Sequence, residues 1–155
     1  MRQTFALIGF IALCLGAGAV GAAITTPEIA TWYPTLAKPP FNPPNWIFGP
    51  VWTTLYVLMA IAAWLVWRRS GFSGARAALL LFLTQLALNC FWSLQFFGLH
   101  RIGLALVDIV LLLAVIVATA LAFRRHSPIA ALLLVPYLAW VCFATVLNFA
   151  IWRLN

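Results

Sequence analysis

Five long apolar segments constrain the fold of this chain more than any other feature of its sequence. They lie at roughly residues 5–24, 46–67, 77–99, 102–123 and 129–152. Each holds about 20 residues or slightly more, and a helix that rises about 1.5 Å per residue crosses ~30 Å of hydrocarbon over that length. Backbone groups in lipid must form hydrogen bonds within the protein, so helices are expected. We therefore predict an all-α integral membrane protein, a bundle of five transmembrane helices.

We predict one domain over residues 1–155, with helices at about 3–25, 45–68, 76–99, 102–124 and 128–152. Hydrophobic residues make up 66% of the chain and charged residues only 7%, whereas soluble proteins have about 25% charged residues.

The first segment, preceded by Arg2, shares features with signal peptides. Because it is longer than their apolar region of about 7–15 residues, we expect a retained helix.

Basic residues are unequally divided between the two ends of the predicted helices. The N-terminal side has six, Arg2, Arg68, Arg69, Arg76, Arg124 and Arg125, and the other side has three, Lys38, Arg101 and Arg153. An excess of Lys and Arg marks the cytoplasmic side. We expect a cytoplasmic N-terminus in a bacterial membrane, with the first loop and the C-terminus on the outer side. The net charge of +7 is dispersed over helix ends, so we expect no nucleic-acid partner.

The first connection, at about residues 25–45, is the only one with room for structure of its own. The stretch WYPTLAKPPFNPPNWIFGPVW, residues 32–52, holds six of the nine prolines and three of the eight tryptophans. Prolines fix φ and remove donors, which makes a loop stiff without helix or sheet. Tryptophan adds flat apolar area with one N–H. We predict a lid over the bundle and ligands that are flat, apolar and aromatic.

Polar and aromatic residues form stripes on the inner faces of three predicted helices. The helical repeat places Gln85, Asn89, Trp92 and Phe96 on one face of the third helix, and Tyr137, Trp140, Ala144 and Leu147, beside Asn148, on one face of the fifth. Trp52 and Tyr56 lie one turn apart on the second helix. In lipid such stripes are expected to point into the bundle. They predict a binding site between these helices. Core packing or an interfacial belt is the alternative for each aromatic residue alone, and it is weaker for Trp52, Trp92 and Trp140, which lie deeper and have polar neighbours.

Asp108 is the only carboxylate inside an apolar segment, and Arg101 precedes it by seven residues on the same helix face. Two interpretations stay open. The residue forms a proton or ligand site, or it is a hydrogen-bonded structural acid near the positive end of the helix dipole.

No familiar catalytic constellation can be assembled from the sequence. His100 and His126 fall in loops on opposite sides of the membrane, and Cys14, Cys90 and Cys142 lack metal-site spacing. We predict no metal and no obligatory cofactor. Whether the protein is an enzyme stays open.

The stretches WYPTLAKPPFNPPNWIFGPVWTTLY, LALNCFWSLQFFG, GLALVDIVLLL and VPYLAWVCFATVLNFAIWRLN resemble the translocator protein family over nearly the whole chain. This family includes bacterial tryptophan-rich sensory proteins and the mitochondrial peripheral benzodiazepine receptor. The resemblance implies a five-helix bundle, often a homodimer, with the first loop folded over a pocket. The pocket residues that it implies are Tyr33, Pro43, Trp46, Trp52, Asn89, Trp92, Trp140, Ala144 and Leu147. The stripes add Tyr56 and Asn148.

The resemblance also implies ligands: porphyrins such as protoporphyrin IX or haem-type tetrapyrroles, cholesterol, and benzodiazepine-site drugs. We expect a membrane protein that binds or senses such molecules, with Lys38 or Arg101 meeting their carboxylates at the mouth. One alternative is light-dependent breakdown of porphyrin, in which Trp52 and Trp140 are the candidate redox residues. Another is transport of porphyrin or sterol.

The sterol motif of the family, Leu–x–Tyr–x–Arg, is altered in this chain. Leu147 and Arg153 are retained, but Phe149 stands at the tyrosine position. Loss of the hydroxyl removes a hydrogen bond to a sterol, so sterol binding is the weaker expectation.

The resemblance suggests a homodimer, and two helix faces are candidates for its interface. The first helix carries a stripe of small residues, Gly9, Ala12, Gly16, Ala19 and Ala23, which permits close helix contact. The third helix offers Ala78, Phe82 and Leu86 as a lipid-facing surface.

Overall fold

The structure, a computed structural model, describes residues 2–155, apart from the side chain of Arg2. Its α-helices are α1 (Arg2–Ala30), α2 (Phe48–Gly74), α3 (Arg76–Ser93), α4 (Ile102–His126), α5 (Pro128–Leu133) and α6 (Val135–Leu154). Two short 3-10 turns, Tyr33–Thr35 and Asn45–Ile47, lie between α1 and α2, and a π-helical turn, Leu94–Gly98, extends α3. No strand occurs within residues 2–155.

These helices form five spans that are long and apolar enough to cross a membrane. Spans 1 to 5 cover Gln3–Ala30, Asn45–Gly74, Arg76–Gly98, Ile102–His126 and Pro128–Leu154. Large apolar side chains such as Phe5, Val107 and Leu132 are more than half exposed. Such a surface suits lipid and not water. The prediction of an all-α membrane protein with five spans is confirmed.

Span 1 extends one turn beyond the predicted end at about residue 25. The helix continues through Pro27 to Ala30, although proline removes one helical hydrogen bond. The extension is fixed from outside, because Glu28 Oε2 lies 3.0 Å from His100 Nε2. The indole of Trp32 stacks on the His100 ring at 4.1 Å. These contacts join the end of span 1 to the turn between spans 3 and 4.

Spans 2 and 3 meet at a kink and not at a turn between separate helices at residues 69–75. The second helix was expected to end at about residue 68, but α2 extends to Gly74. Within it Gly71 has φ 66° and ψ −177°, a conformation that is open essentially only to glycine. The chain therefore changes direction at Gly71, and α3 follows after the single residue Ala75.

Span 5 is two helices with a break at Leu134. Ser127 Oγ accepts a hydrogen bond from the Ala130 N–H at 3.3 Å, and Pro128 occupies the first turn of α5, as prolines commonly do. Pro136 then lies in the first turn of α6. A proline in the middle of an unbroken helix would remove a hydrogen bond, so the chain starts a second helix there.

The core lies between spans 2, 3, 4 and 5. Met59, Ala60 and Ala63 of α2 are fully buried, and small side chains there allow close helix approach. The rings of Phe82 and Phe123 stack at 6.0 Å across spans 3 and 4. Ala78, Phe82 and Leu86 are thus core residues, so the expectation of a lipid-facing surface on them is wrong.

The small-residue stripe of α1 is not used for packing within the chain. Gly9, Ala12, Gly16, Ala19 and Ala23 are all exposed, and a Cβ at Gly9 or Gly16 would meet no atom within 4 Å. The helix instead packs through the face that carries Cys14, Gly18 and Gly21.

Candidate functional site

A cavity of about 400 Å³ lies between spans 1, 2, 3 and 5, at the end of the bundle where the first loop lies. Its volume falls within the range of about 300–1,000 Å³ that is usual for small-molecule sites. The wall is mainly aromatic and aliphatic, and no charged side chain among the described residues belongs to it. The aromatic members of the wall are Tyr33, Phe48, Trp52, Tyr56, Trp92, Phe96, Phe97 and Trp140.

A chain of buried hydrogen bonds fixes one side of this cavity. Tyr56 OH donates to Asn89 Oδ1 at 2.7 Å, and Asn89 Nδ2 donates to Tyr137 OH at 3.1 Å. Tyr137 OH in turn donates to Gln85 Oε1 at 2.8 Å. Spans 2, 3 and 5 are held in register because buried polar groups without partners are costly. Asn89 has both amide atoms occupied by the protein, so it has little capacity left for a ligand.

A second polar pair fixes Trp92. Its Nε1–H donates to Asn148 Oδ1 at 2.9 Å, and Asn148 Nδ2 donates to the Ile102 carbonyl at 3.1 Å. The ring of Trp92 stacks on Phe96 at 5.2 Å. These contacts fix the indole in the cavity wall.

Trp140 differs from Trp92 because its N–H has no partner. Nε1 is buried and makes no hydrogen bond to any described residue, while the ring packs against Phe48 and Phe143 at 5.9 and 5.5 Å. A buried donor without an acceptor costs about 1–3 kcal/mol. The ring of Trp140 lines the cavity, whereas its N–H is buried away from it.

The first loop contributes Tyr33 to the cavity wall and is stabilised by its own contacts. Tyr33 OH donates to Asn42 Oδ1 at 2.7 Å. Burial raises the pKa of the Tyr33 phenol above its usual value, although this hydrogen bond lowers it in part. The side chain of Asn155 exchanges two hydrogen bonds of 3.0 Å with the backbone of Ala37, which joins the loop to the end of span 5.

Lys38 has a structural position in this loop. Its ammonium donates to the carbonyls of Tyr33 and Leu36 at 2.7 and 2.9 Å and lies 4.8 Å above the Tyr33 ring. Neither Lys38 nor Arg101 belongs to the cavity wall. The expectation that either cation meets a ligand at the mouth has no support in this arrangement, because Lys38 is engaged with the loop.

Nine of the eleven predicted ligand-binding residues line this one cavity. They are Tyr33, Trp52, Tyr56, Asn89, Trp92, Trp140, Ala144, Leu147 and Asn148. Pro43 and Trp46 do not, and Trp46 is 75% exposed. The 3-10 turn Asn45–Ile47 directs Trp46 outward and brings Asn45 and Phe48 to the wall instead. The two candidate redox residues, Trp52 and Trp140, share the cavity.

The altered sterol motif does not form a single surface. Leu147 is buried in the cavity wall, whereas Phe149 is 48% exposed and packs on Trp152 at 6.0 Å. Arg153 is exposed. Leu147 points away from the other two residues, because a two-residue step does not follow one helix face. Phe149 and Arg153 are four residues apart and share the exposed face.

Asp108 lacks the hydrogen bond that one of its two interpretations requires. It is buried, but its Oδ2 has no hydrogen-bond partner among the described residues, and no ion pair joins it to Arg101. It also lies outside the cavity wall. The described residues therefore give the hydrogen-bonded structural acid no support, and the proton or ligand site stays a prediction.

Span 1 contributes a wall that sequence reasoning missed, through small residues that include Gly18, Gly21 and Ala22. A Cβ at Gly18 would lie 2.7 Å from the ring of Tyr56, so glycine is what allows α1 to approach. Small residues occur on several faces of α1. Their spacing alone gives no signal for the packed face.

Comparison with known proteins gives similarity over nearly the whole chain. A family model described as the TspO/MBR family matches residues 10–153. The tryptophan-rich protein TspO of Chlorobaculum tepidum is 47% identical, across 99% of this chain and 98% of the relative. The translocator protein of Bos taurus is 45% identical, across 96% and 89%. The tryptophan-rich sensory protein of Cereibacter sphaeroides is 40% identical, across 100% and 95%.

Proposed function

This chain belongs to the TspO/MBR family, and we propose on that premise that its cavity binds tetrapyrroles such as protoporphyrin IX and other flat hydrophobic molecules. The family supports a membrane-embedded sensory or binding role. Drug-like ligands of the benzodiazepine site belong to the same proposal, because they are also apolar and aromatic.

The observation that carries the proposal is the aromatic, uncharged cavity wall. Indole and phenol rings stack on flat π-systems, and burial of apolar ligand surface contributes about 25 cal/mol per Å². Carboxylates are costly to bury without a partner. A porphyrin therefore enters with its macrocycle between the rings and leaves its acidic groups in water at the loop side.

The shape of the ligand follows from the same wall, which carries eight aromatic rings and no charged side chain among the described residues. Flat π-systems stack on such rings. The wall therefore favours a flat tetrapyrrole over a sterol, whose saturated rings offer no π-face.

Titration of the purified protein with protoporphyrin IX in the dark, followed by tryptophan fluorescence, tests the proposal. We expect saturable quenching with one site per chain. Trp140→Phe is expected to weaken binding, whereas Trp152→Phe, which removes an indole outside the cavity wall, serves as the matched control. Equal affinities in the two variants would contradict the proposed site.

Light-dependent breakdown of the bound porphyrin is a second candidate function. Trp52 and Trp140 line the same cavity, which brings two oxidisable indoles close to any bound macrocycle. Mass spectrometry after illumination, with a dark sample as control, distinguishes the two functions. Photoproducts that the illuminated wild type forms and the double variant Trp52→Phe/Trp140→Phe does not form would support breakdown. Porphyrin that stays unchanged in the illuminated wild type would support binding alone.

Assembly and orientation complete the proposal. The exposed small residues of α1 leave its backbone accessible to a second copy, so we expect a homodimer. Light scattering in several detergents and in nanodiscs tests this, and monomer throughout contradicts it.

The arginines on the N-terminal side of the bundle favour a cytoplasmic N-terminus. Labelling of single introduced cysteines in intact cells tests this orientation.

A further inference from the structure

A second depression, which we call the lateral groove, lies between spans 1, 2 and 3 at the N-terminal side of the bundle. It has a volume of about 690 Å³ and shares no wall residue with the cavity. Its wall includes Phe10 of α1, Trp67 of α2 and Leu79 of α3. Leu80 and Leu83 at its edge are 53% and 46% exposed. The groove therefore opens sideways into the region of lipid chains.

Two glycines shape the lateral groove. Gly71, with its positive φ, turns the chain so that Phe72 packs on Trp67 at 5.8 Å, and Trp67 packs on Phe10 at 6.4 Å. Gly9 lies in the wall, and a Cβ there would meet nothing within 4 Å. The result is an aromatic floor with an open entrance.

Arg76 is the only charged residue in the groove wall among the described residues. It is exposed, and no ion pair or side-chain hydrogen bond involves it in the part of the chain that the structure describes. It begins α3, where the positive end of the helix dipole also attracts anions. From Arg76 to Leu83 the helix descends about 10 Å, so the cation lies at the entrance and the apolar wall lies below.

No carboxylate is available to neutralise this side of the protein. The chain has two acidic residues. Glu28 is bonded to His100 at the opposite end of the bundle, and Asp108 lies in α4, near the end that follows Arg101. Arg68, Arg69, Arg124 and Arg125 all lie in the last two turns of α2 or α4, on the N-terminal side. An anion is therefore attracted to this surface, and attraction is strongest for one with an apolar tail.

We propose that the lateral groove binds an anionic phospholipid, with the phosphate at Arg76 and one acyl chain along Phe10, Trp67 and Leu83. A free phosphate would not use the apolar wall. A second copy of the chain could cover the apolar wall but brings no free carboxylate to Arg76, because the two acidic residues lie toward the other end of the bundle. The phospholipid satisfies both the cation and the open apolar groove.

Native mass spectrometry of the detergent-purified protein tests this proposal with dioleoylphosphatidylglycerol and dioleoylphosphatidylcholine, which share acyl chains but differ in net charge. We expect preferential retention of the anionic lipid. Arg76→Gln is expected to lower that preference about 5-fold, the factor for the ~1 kcal/mol that one basic residue contributes near anionic lipid. Arg76→Lys should keep the preference. Arg125→Gln removes the same charge outside the groove and should change the preference little.

Gly9→Phe adds a ring to the groove wall at a point where a Cβ would meet nothing within 4 Å. It should reduce retention of both lipids while the thermal unfolding temperature stays near that of the wild type. Glycerol 1-phosphate, the headgroup alone, should not bind. Equal losses from Arg76→Gln and Arg125→Gln would overturn the site in favour of diffuse attraction. Loss of a dimer peak in Gly9→Phe with unchanged lipid retention would assign the groove to a second copy and overturn the proposal.

Discussion

Gly18 provides a sharp test of how α1 closes the cavity. In Gly18→Ala the new methyl group would lie 2.7 Å from Cδ2 and Cε2 of Tyr56. Ordinary contact begins near 3.4 Å, so the ring or the helix must move by about 0.7 Å. The ring is not free to move, because its hydroxyl donates to Asn89 at 2.7 Å and its face packs on Trp52 at 5.7 Å. We expect α1 to move outward.

The size of the effect follows from two opposing contributions. Overpacking a well-filled site costs about 1–3 kcal/mol, and replacement of glycine by alanine inside a helix gains up to about 1 kcal/mol. Gly16→Ala is the matched control, because it lies two residues away and its Cβ would meet nothing within 4 Å. Gly18→Ala should therefore be less stable than Gly16→Ala by about 1–3 kcal/mol, and it should bind porphyrin more weakly because the α1 wall has moved.

Thermal unfolding followed by circular dichroism, in one detergent and at one scan rate, measures the difference. The same substitution in a Tyr56→Leu background gives a double-mutant cycle. Leucine lacks the ring edge that the new methyl group meets, so the cost of Gly18→Ala should largely disappear in that background. Equal unfolding temperatures of the Gly18→Ala and Gly16→Ala variants would refute the reasoning. So would a cost that persists in the Tyr56→Leu background.

Three further predictions concern the cavity. Trp52→Phe/Trp140→Phe should keep the fold, because phenylalanine preserves most of the apolar bulk, yet weaken porphyrin quenching; unchanged affinity and photoproducts would remove both residues from the site. Ala144→Thr should weaken the binding of porphyrin and drug-like ligands by roughly 5- to 150-fold, if the ligand bears an overpacking cost of about 1–3 kcal/mol, and should leave the thermal stability of the unliganded protein near normal. Isothermal titration with both ligand types measures the affinities. Equal affinities in the wild type and the variant would show that α6 presents another face to the cavity. Tyr137→Phe leaves Gln85 Oε1 and Asn89 Nδ2 without their partner and should destabilise the protein by about 1–3 kcal/mol; an unfolding temperature equal to that of the wild type would mean that water replaces the hydroxyl.

Much of the cavity wall could be predicted because its residues repeat along helices. Asn89 and Trp92 on span 3 and Trp140 and Ala144 on span 5 lie on faces that the helical period defines, and polar groups in lipid must face inward. Trp46 could not be placed in this way. It lies at the 3-10 turn before α2. A shift of one residue in that turn would move the Trp46 side chain from the exterior to the cavity. Pro43, in the irregular loop, has no periodicity to orient it.

The sequence by itself determined the five spans, because transfer of each segment into lipid depends on its own side chains and its own backbone hydrogen bonds. Only the tertiary structure decided which face of α1 packs. Small residues occur on several of its faces, and the choice rests on the fit of Gly18 against Tyr56 from another helix. The same holds for Asp108, whose burial without a partner depends on how α4 rotates against its neighbours. It holds also for the lateral groove, which forms where three helix ends meet around the kink at Gly71. These features depend on contacts between segments far apart in the chain, and hydropathy and periodicity report only on residues within one segment.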